Sequence, residues 1–369
     1  MTGPLFEPFK LGSLELDNRL VMAPMTRSSS PGHVPNQLNI DYYRRRAAHE
    51  VGLIITEGTC VGHKAANGYP DVPFFYGDEA LAGWQKVVEA VHAEGGKIMP
   101  QLWHVGGVRK DCLQPDESVP AYSPSGLIAP NKPNGVAMSA EDIDDVKTAF
   151  VTAAVNAQKL GFDGVELHGA HGYLLDQFFW DQTNLRSDAY GGDMVERTRF
   201  TAETIAAIRQ QVGPEFPILL RYSQWKLQNY DARLAATPAQ LEQLLMPLVD
   251  AGVDMFHCST RRFWEAEFEG SPLNLAGWTK KLTGKPTVTV GSVGLAGGFV
   301  DEDKRGMSSE AAIDTDQFKL LEQGVTAGDF DLVAVGRCLL QDPQWVIKLK
   351  NKAFEDMQPY SASAMKKLY

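Results

Sequence analysis

The sequence predicts an α/β fold of the (β/α)8 TIM barrel kind, a closed parallel sheet with helices outside, and three observations carry that prediction. Eight short apolar runs alternate with helical patterns along the chain, which is the rhythm of repeated βα units. The residues that close those runs are polar or glycine time after time, as expected where a barrel gathers its ligand-facing groups on the C-terminal rim. The competing architecture, a doubly wound open sheet, lacks its marker: no Gly-x-Gly-x-x-Gly follows any run, and no charged linker divides the chain. One domain over residues 1–369 is therefore expected, since barrels with insertions reach this length.

The first run, Arg19-Leu-Val-Met-Ala-Pro24, is cut off by proline, which cannot continue a central strand. A helical pattern covers about Asn39 to His49, and Leu53-Ile-Ile-Thr-Glu57-Gly58 is the second strand. Ala80 to Glu94 places Leu81, Trp84, Val87, Val88 and Val91 on one face before the stop at Gly95-Gly96. Lys97 to Leu102 is the third strand. Residues 105–139, broken by repeated prolines, form a long loop, which in a compact domain is usually functional or disordered. Ser139 then caps a helix with acids in its first turns and an inward stripe from Ile143 to Leu160. Val165 to His168 is the fourth strand, a helix follows Gly191-Gly192, and Pro217 to Ser223 is the fifth strand. Thr237 and Pro238 open the next helix, and Val253–Cys258, Pro286–Ser292 and Asp331–Arg337 are strands six to eight. Leu295 to Thr315 reads as an insertion after the seventh.

Net charge is −11 with 44% hydrophobic residues, and the only basic cluster, Arg44-Arg45-Arg46, reads as a solvated helix face. Nucleic acid is not expected as a partner. The start of the chain has no basic segment leading into an apolar core, and no window approaches 18 apolar residues, so a cytoplasmic protein without membrane contact is expected. Cys60, Cys112, Cys258 and Cys338 form no Cys-x-x-Cys pair, which predicts reduced, mostly buried thiols. Monomer and homo-oligomer both stay open.

Chemistry concentrates in Asp163-Gly-Val-Glu-Leu-His168-Gly-Ala-His171-Gly-Tyr173. Two histidines three apart can each donate a hydrogen bond while neutral and hold one oxygen atom between them. Tyr173 adds a phenol that is protonated at neutral pH and can serve as an acid. As a metal cluster, Glu166-x-His168-x-x-His171 puts Glu166 and His168 on the same side of a strand without a third ligand at a recognised spacing, and no metal is expected. The other strand ends carry Thr26, Gly58, Gln101, Arg221, His257, Gly291-Ser292 and Gly336-Arg337. In barrels the last two loops are the usual phosphate site. Trp103, Trp225, Trp264 and Tyr69 are candidates for pocket walls, with core packing as the alternative for each.

His168-Gly-Ala-His171-Gly-Tyr173-Leu-Leu-Asp-Gln-Phe, continuing to Asn184-Leu-Arg-Ser-Asp-Ala-Tyr-Gly-Gly192, resembles the signature of the Old Yellow Enzyme family of flavin-dependent ene-reductases. So do Asn18-Arg-Leu-Val-Met-Ala-Pro-Met-Thr26, Gly52-Leu-Ile-Ile-Thr-Glu-Gly58, Gly68-Tyr69-Pro and Gln101-Leu-Trp-His104. The resemblance implies bound FMN, NAD(P)H as reductant, and ping-pong reduction of activated C=C bonds. By it, Ala23, Pro24, Met25, Thr26, Gly58, Gln101 and Arg221 line the isoalloxazine, while Gly291, Ser292, Gly336 and Arg337 hold the phosphate. His168 and His171 grip the substrate oxygen, Tyr173 protonates the neighbouring carbon, and Tyr69 and Trp103 contact substrate. The chain departs from the family pattern at Arg221-Tyr-Ser-Gln-Trp225, at Phe179 to Asn184 and at Val105-Gly-Gly-Val108, which touches substrate range more than chemistry. Rival readings are a flavin barrel that oxidises its own substrate, a ligand-carrying protein without turnover, and a metal-dependent hydrolase.

Overall fold

Eight parallel strands close a barrel in a computed structural model that describes residues 3–110, 113–296, 300–301, 306–307 and 310–369. The strands are β1 (Leu20–Met22), β2 (Leu53–Cys60), β3 (Ile98–Trp103), β4 (Val165–His171), β5 (Ile218–Lys226), β6 (Met255–Ser259), β7 (Thr287–Val290) and β8 (Leu332–Val335). Each pairs with its sequence neighbour and β8 returns to β1. Because side chains alternate across a strand, every second residue faces the barrel interior. Val21, Leu53, Ile55, Met99, Leu219, Met255, Val288 and Leu332 form one apolar cluster, which Leu14 and Leu16 of an N-terminal hairpin join. On β3 to β6 the next inward positions turn polar: Gln101, Glu166, Arg221 and His257, which the registers Glu166↔Gln101, His168↔Arg221 and Arg221↔His257 place on adjacent rungs.

The outer helices start where the local sequence supplies a cap. Asn36 caps α1 (Gln37–Ala47); α2 is Asp78–Ala93; Ser139 and Asp142 make a reciprocal capping box on α3 (Ala140–Lys159); Asp193 and Glu196 do the same on α4 (Met194–Val212). Thr237 and Pro238 open α5 (Pro238–Asp250), and α6 (Leu275–Thr283) and α7 (Asp316–Ala327) complete the ring before two short helices, Arg337–Gln341 and Trp345–Lys350. None of the described helices is long and apolar enough to cross a membrane.

The arginine run on α1 corrects the expectation of a solvated face. Arg44 is partly exposed and pairs with Glu94, but Arg46 is fully buried, donating to Tyr42 O at 3.1 Å and Leu339 O at 2.9 Å. Three consecutive residues sweep most of a helical turn, so the third falls on the inward stripe with Tyr42 and Tyr43 and ties α1 to the segment after β8. The described part of the 105–139 loop is held without helical periodicity: fully buried Arg109 collects the carbonyls of Asn67, Leu113, Asp116 and Val119 at 2.6, 2.6, 2.8 and 3.1 Å. Of the insertion after β7, Ala296 N–H donates to Ala312 O, Val300–Asp301 pairs with Gly306–Met307 and Glu310–Ala311 pairs with Tyr360–Ser361; residues 297–299, 302–305 and 308–309 lie outside the described residues, as does Cys112. Cys60, Cys258 and Cys338 are free and buried, as expected.

Candidate active site

The C-terminal ends of the strands open into a cavity of about 520 Å³, and all sixteen residues that the family resemblance assigned to cofactor, catalysis and substrate line it, whereas His257, expected on the rim, is fully buried and does not. From β4 come His168, His171 and, just beyond, Tyr173. The His168 ring lies 5.3 Å from that of His171 and 4.9 Å from that of Tyr173, each nearly perpendicular. His168 Nδ1 accepts the Ala170 N–H at 3.3 Å, which leaves its Nε2 for the cavity. Burial first, then the Arg221 charge, holds both histidines well below the usual imidazole range, so both rings are neutral at pH 7.

His171 sits at φ +65°, a left-handed conformation that costs a non-glycine residue on the order of 1 kcal/mol or more. Four contacts over-determine it. Its N–H donates to Ser223 Oγ at 3.0 Å, its ring stacks on Trp225 at 4.4 Å, and its Nε2 meets Ser259 Oγ at 2.8 Å. The next N–H, of Gly172, donates to Asp176 Oδ2 at 2.6 Å. Asp176 Oδ1 in turn accepts from Lys226 Nζ at 2.7 Å, a pair with no solvent exposure on either side. Since Nε2 is engaged by a hydroxyl, Nδ1 is the ring nitrogen His171 has left for a ligand.

Tyr173 Oη lies 3.0 Å from Tyr69 Oη. Burial, then the neighbouring Tyr69, raises the Tyr173 pKa well above 10, so the phenol keeps its proton. Trp103 stacks on Tyr69 at 5.4 Å and meets Tyr173 edge-on at 4.9 Å. Gly58 has a packing reason as well as an open one: a Cβ there would come within 2.5 Å of the Trp103 ring.

Ala23, Pro24, Met25 and Thr26 leave β1 along the cavity, and Glu57 beneath them accepts the N–H groups of Arg27 at 2.8 Å and Ser28 at 3.3 Å. Burial pushes the Glu57 pKa up to about 7. Across the cavity, Ser292 Oγ accepts from Arg337 Nη2 at 3.0 Å and donates to Arg261 O at 3.0 Å. Gly291 must be glycine, since its φ is +151° and a Cβ would meet Thr260 Oγ1 at 2.6 Å. At Gly336 a Cβ would find nothing closer than Met25 Sδ at 3.6 Å, so the backbone presents open space there.

Arg221 is buried with Nε unpartnered and only a long 3.5 Å contact from Nη2 to Ser259 Oγ. Gln101 Nε2 donates to Glu166 Oε1 at 2.8 Å, and Glu166 Oε2 meets His257 Nδ1 at 2.6 Å. Both oxygens of Glu166 thus face other partners than the histidines with which a metal cluster was considered. Trp225 does wall the cavity, pinned by Nε1 to Ser259 O at 3.1 Å, but Trp264 packs on Phe263 away from it. Sequence reasoning missed Ser259, Asp176 and Lys226 altogether and gave Glu166 no working role. Glu166 had a signal, its two-residue offset from His168 on one strand; Ser259 and Lys226 are brought to the site by the neighbouring strands, and Asp176 by the short helix Leu174–Phe179.

The profile of the NADH:flavin oxidoreductase / NADH oxidase family matches residues 4–356. The chain belongs to that family. This bears out the Old Yellow Enzyme resemblance read from the motifs. Within the family, it is 40% identical over 222 residues to 12-oxophytodienoate reductase 2 of Arabidopsis thaliana, covering 58% of this chain and 59% of that protein. It is 41% identical over 215 residues to 12-oxophytodienoate reductase 1 of Oryza sativa subsp. japonica, covering 57% of this chain and 56% of the relative. The matched stretches thus span rather more than half of these curated relatives. A structure of morphinone reductase in complex with tetrahydroNAD superposes with a TM-score of 0.80 at 30% identity, covering 98% of this chain and 93% of that one. The family fold and the barrel described here agree.

Proposed function

We propose that this protein is an FMN-dependent oxidoreductase that takes hydride from NAD(P)H and reduces activated C=C bonds, such as those of α,β-unsaturated carbonyl or nitro compounds. The observation that carries the reading is Arg221, a buried guanidinium that lines the cavity and whose Nε has no partner among the described residues, in a cavity that Gly291, Ser292, Gly336 and Arg337 also line. A cation held out of water needs an electron-rich partner, and a flat heterocycle with a phosphate tail answers both ends. The residues therefore fit FMN: Arg221 and Gln101 for the ring, Thr26 and the β1 exit loop along its edge, and the Ser292–Arg337 pair for the phosphate. When bound, FMN supplies the hydride chemistry. The matched relatives, reductases whose names and ligands include 12-oxophytodienoate, morphinone and tetrahydroNAD, support the same assignment. One closed barrel and a family match over residues 4–356 support reading residues 1–369 as a single FMN-binding unit.

His168 Nε2 and His171 Nδ1, neutral and open to the cavity, hold the substrate's carbonyl or nitro oxygen and stabilise the negative charge it gains. Ser259 keeps His171 in the tautomer this needs, donating its hydroxyl proton to Nε2 so that Nδ1 carries the ring proton. Tyr173 delivers its proton to the carbon next to the activating group, and Tyr69 and Trp103 flank the substrate. Nicotinamide and alkene share one cavity, so turnover is ping-pong. Three free, buried cysteines support a reducing, cytoplasmic setting, and the charge of −11 supports a small-molecule partner over nucleic acid.

The test is the visible spectrum of the purified protein, followed by anaerobic NADPH or NADH and then 2-cyclohexenone. Flavin bands that bleach with nicotinamide and return with the enone are expected. A colourless protein that takes up no FMN refutes the cofactor; bands that bleach but do not return refute the alkene half of the reaction.

A further inference from the structure

The proposed reaction gives no task to the buried carboxyl group of Glu166. Glu166 is fully buried inside the barrel on β4, between Gln101 of β3 and the Arg221 and His257 rungs of β5 and β6. A carboxylate placed there costs several kcal/mol unless its partners compensate, by the usual order of magnitude for a buried ion.

Donor and acceptor chemistry fixes where the protons are. His257 Nε2 is buried with no partner among the described residues. A bare lone pair in that position costs less than an orphaned N–H, so the ring proton is on Nδ1 and is donated to Glu166 Oε2. Burial lowers the His257 pKa, against the pull of Glu166, so the ring is neutral and donates through Nδ1 alone. A carboxylate only accepts, so Gln101 turns its NH2 toward Glu166. The Gln101 carbonyl oxygen, which makes no hydrogen bond among the described residues, is then what this side chain offers to the cavity it lines.

We propose that Glu166, braced by His257, is a positioning residue for the cofactor: it locks Gln101 as an acceptor, so that the site selects a heterocycle with an imide N–H, and it sets a negative charge beside Arg221 that restrains the reduced state. This rests on the FMN reading. The pyrimidine edge of FMN carries one imide N–H, and reduction places negative charge on that same edge. Arg221 favours that charge and Glu166 opposes it, as it also opposes the fall in the Arg221 pKa that burial causes. The barrel thereby holds two opposed charges on neighbouring rungs, and their balance tunes the flavin.

Two measurements test this on the intact protein. The first needs no variant: apoprotein is titrated with FMN and with N3-methyl-FMN. At least tenfold weaker binding of the methylated form is expected, and equal binding overturns the locked acceptor. The second is the midpoint potential of Glu166→Gln. The substituted amide can still accept from Gln101 and donate to His257 in its other tautomer, so the preference for FMN persists. The missing charge shifts the affinity ratio of reduced to oxidised FMN about tenfold toward the reduced form, a rise of about 30 mV for a two-electron couple. If Glu166→Gln does not fold, Glu166→Leu combined with His257→Leu, which removes the charge together with the donor that braces it, shifts the potential the same way. An unmoved potential overturns the charge role. Wild-type protein that takes up neither flavin sinks the FMN reading itself, a different outcome from FMN bound without discrimination.

Discussion

Replacing Asp176 by Asn probes how the loop that carries His171 is held. Both members of the Asp176–Lys226 pair are fully buried, 2.7 Å apart, and the other Asp176 oxygen accepts the Gly172 N–H at 2.6 Å. Lys226 has one further acceptor, Ser223 O at 3.1 Å. Removing one partner of a buried pair leaves an uncompensated charge and costs about 3–5 kcal/mol, a large part of the 5–15 kcal/mol that typically holds a domain together. The cost has a ceiling because the lysine can shed its proton instead: burial already lowers the Lys226 pKa and Asp176 is what raises it back. Each unit of further fall is worth about 1.4 kcal/mol. Asp176→Leu combined with Lys226→Met removes both charges, so most of the loss is recovered, less the roughly 1–3 kcal/mol for leaving Gly172 N–H without its acceptor. Urea unfolding at pH 7 followed by circular dichroism measures both variants against wild type. The double variant is expected to fold and yet lose kcat/KM for the enone, because His171 at φ +65° has lost an anchor. An Asn variant within about 1 kcal/mol of wild type, or a double variant no more stable than the single, refutes the argument.

Two further outcomes are expected. Tyr173→Phe should leave reduction by NAD(P)H intact and slow the alkene half-reaction by a factor on the order of 10²; stopped-flow traces of the two half-reactions check this, and equal loss in both would make Tyr173 a shaping residue instead. Stability should fall on acidification. Burial holds His63 (to about 4), His104, His168, His171 and His257 below the usual 6.5, so their contribution is full above 6.5 and is lost as the unfolded chain takes up protons below it. Glu57, raised to about 7, and Asp176, raised to about 6, act the other way, since their folded forms hold protons that the unfolded chain releases. Five histidines outweigh two carboxyl groups, so the net sign below pH 6.5 is a loss of stability on acidification. Urea midpoints at pH 7.5, 6.5 and 5.5 read it, and a flat or rising trend contradicts it.

The barrel was legible because its signals are local. A strand's apolar run, the proline or glycine that ends it and the cap that opens the next helix all lie within a few residues, as at Pro24, Ser139 and Thr237. The candidate site was legible for the same reason: His168, His171 and Tyr173 lie within six positions, and strand ends of a parallel barrel share one rim. Arg46 shows the limit even for a local pattern, since composition marks a basic run but only packing says which member faces inward.

What the sequence by itself determined is which residues reach the rim and what chemistry each can perform. What only the tertiary structure decided is which of them meet: Glu166 with His257 across 91 positions, His171 with Ser259 across 88, and Asp176 with Lys226 across 50. Those encounters depend on the register in which neighbouring strands close the barrel. Shifting a strand by one residue turns every inward side chain outward, so the pairing is a property of the closed sheet that no single strand carries.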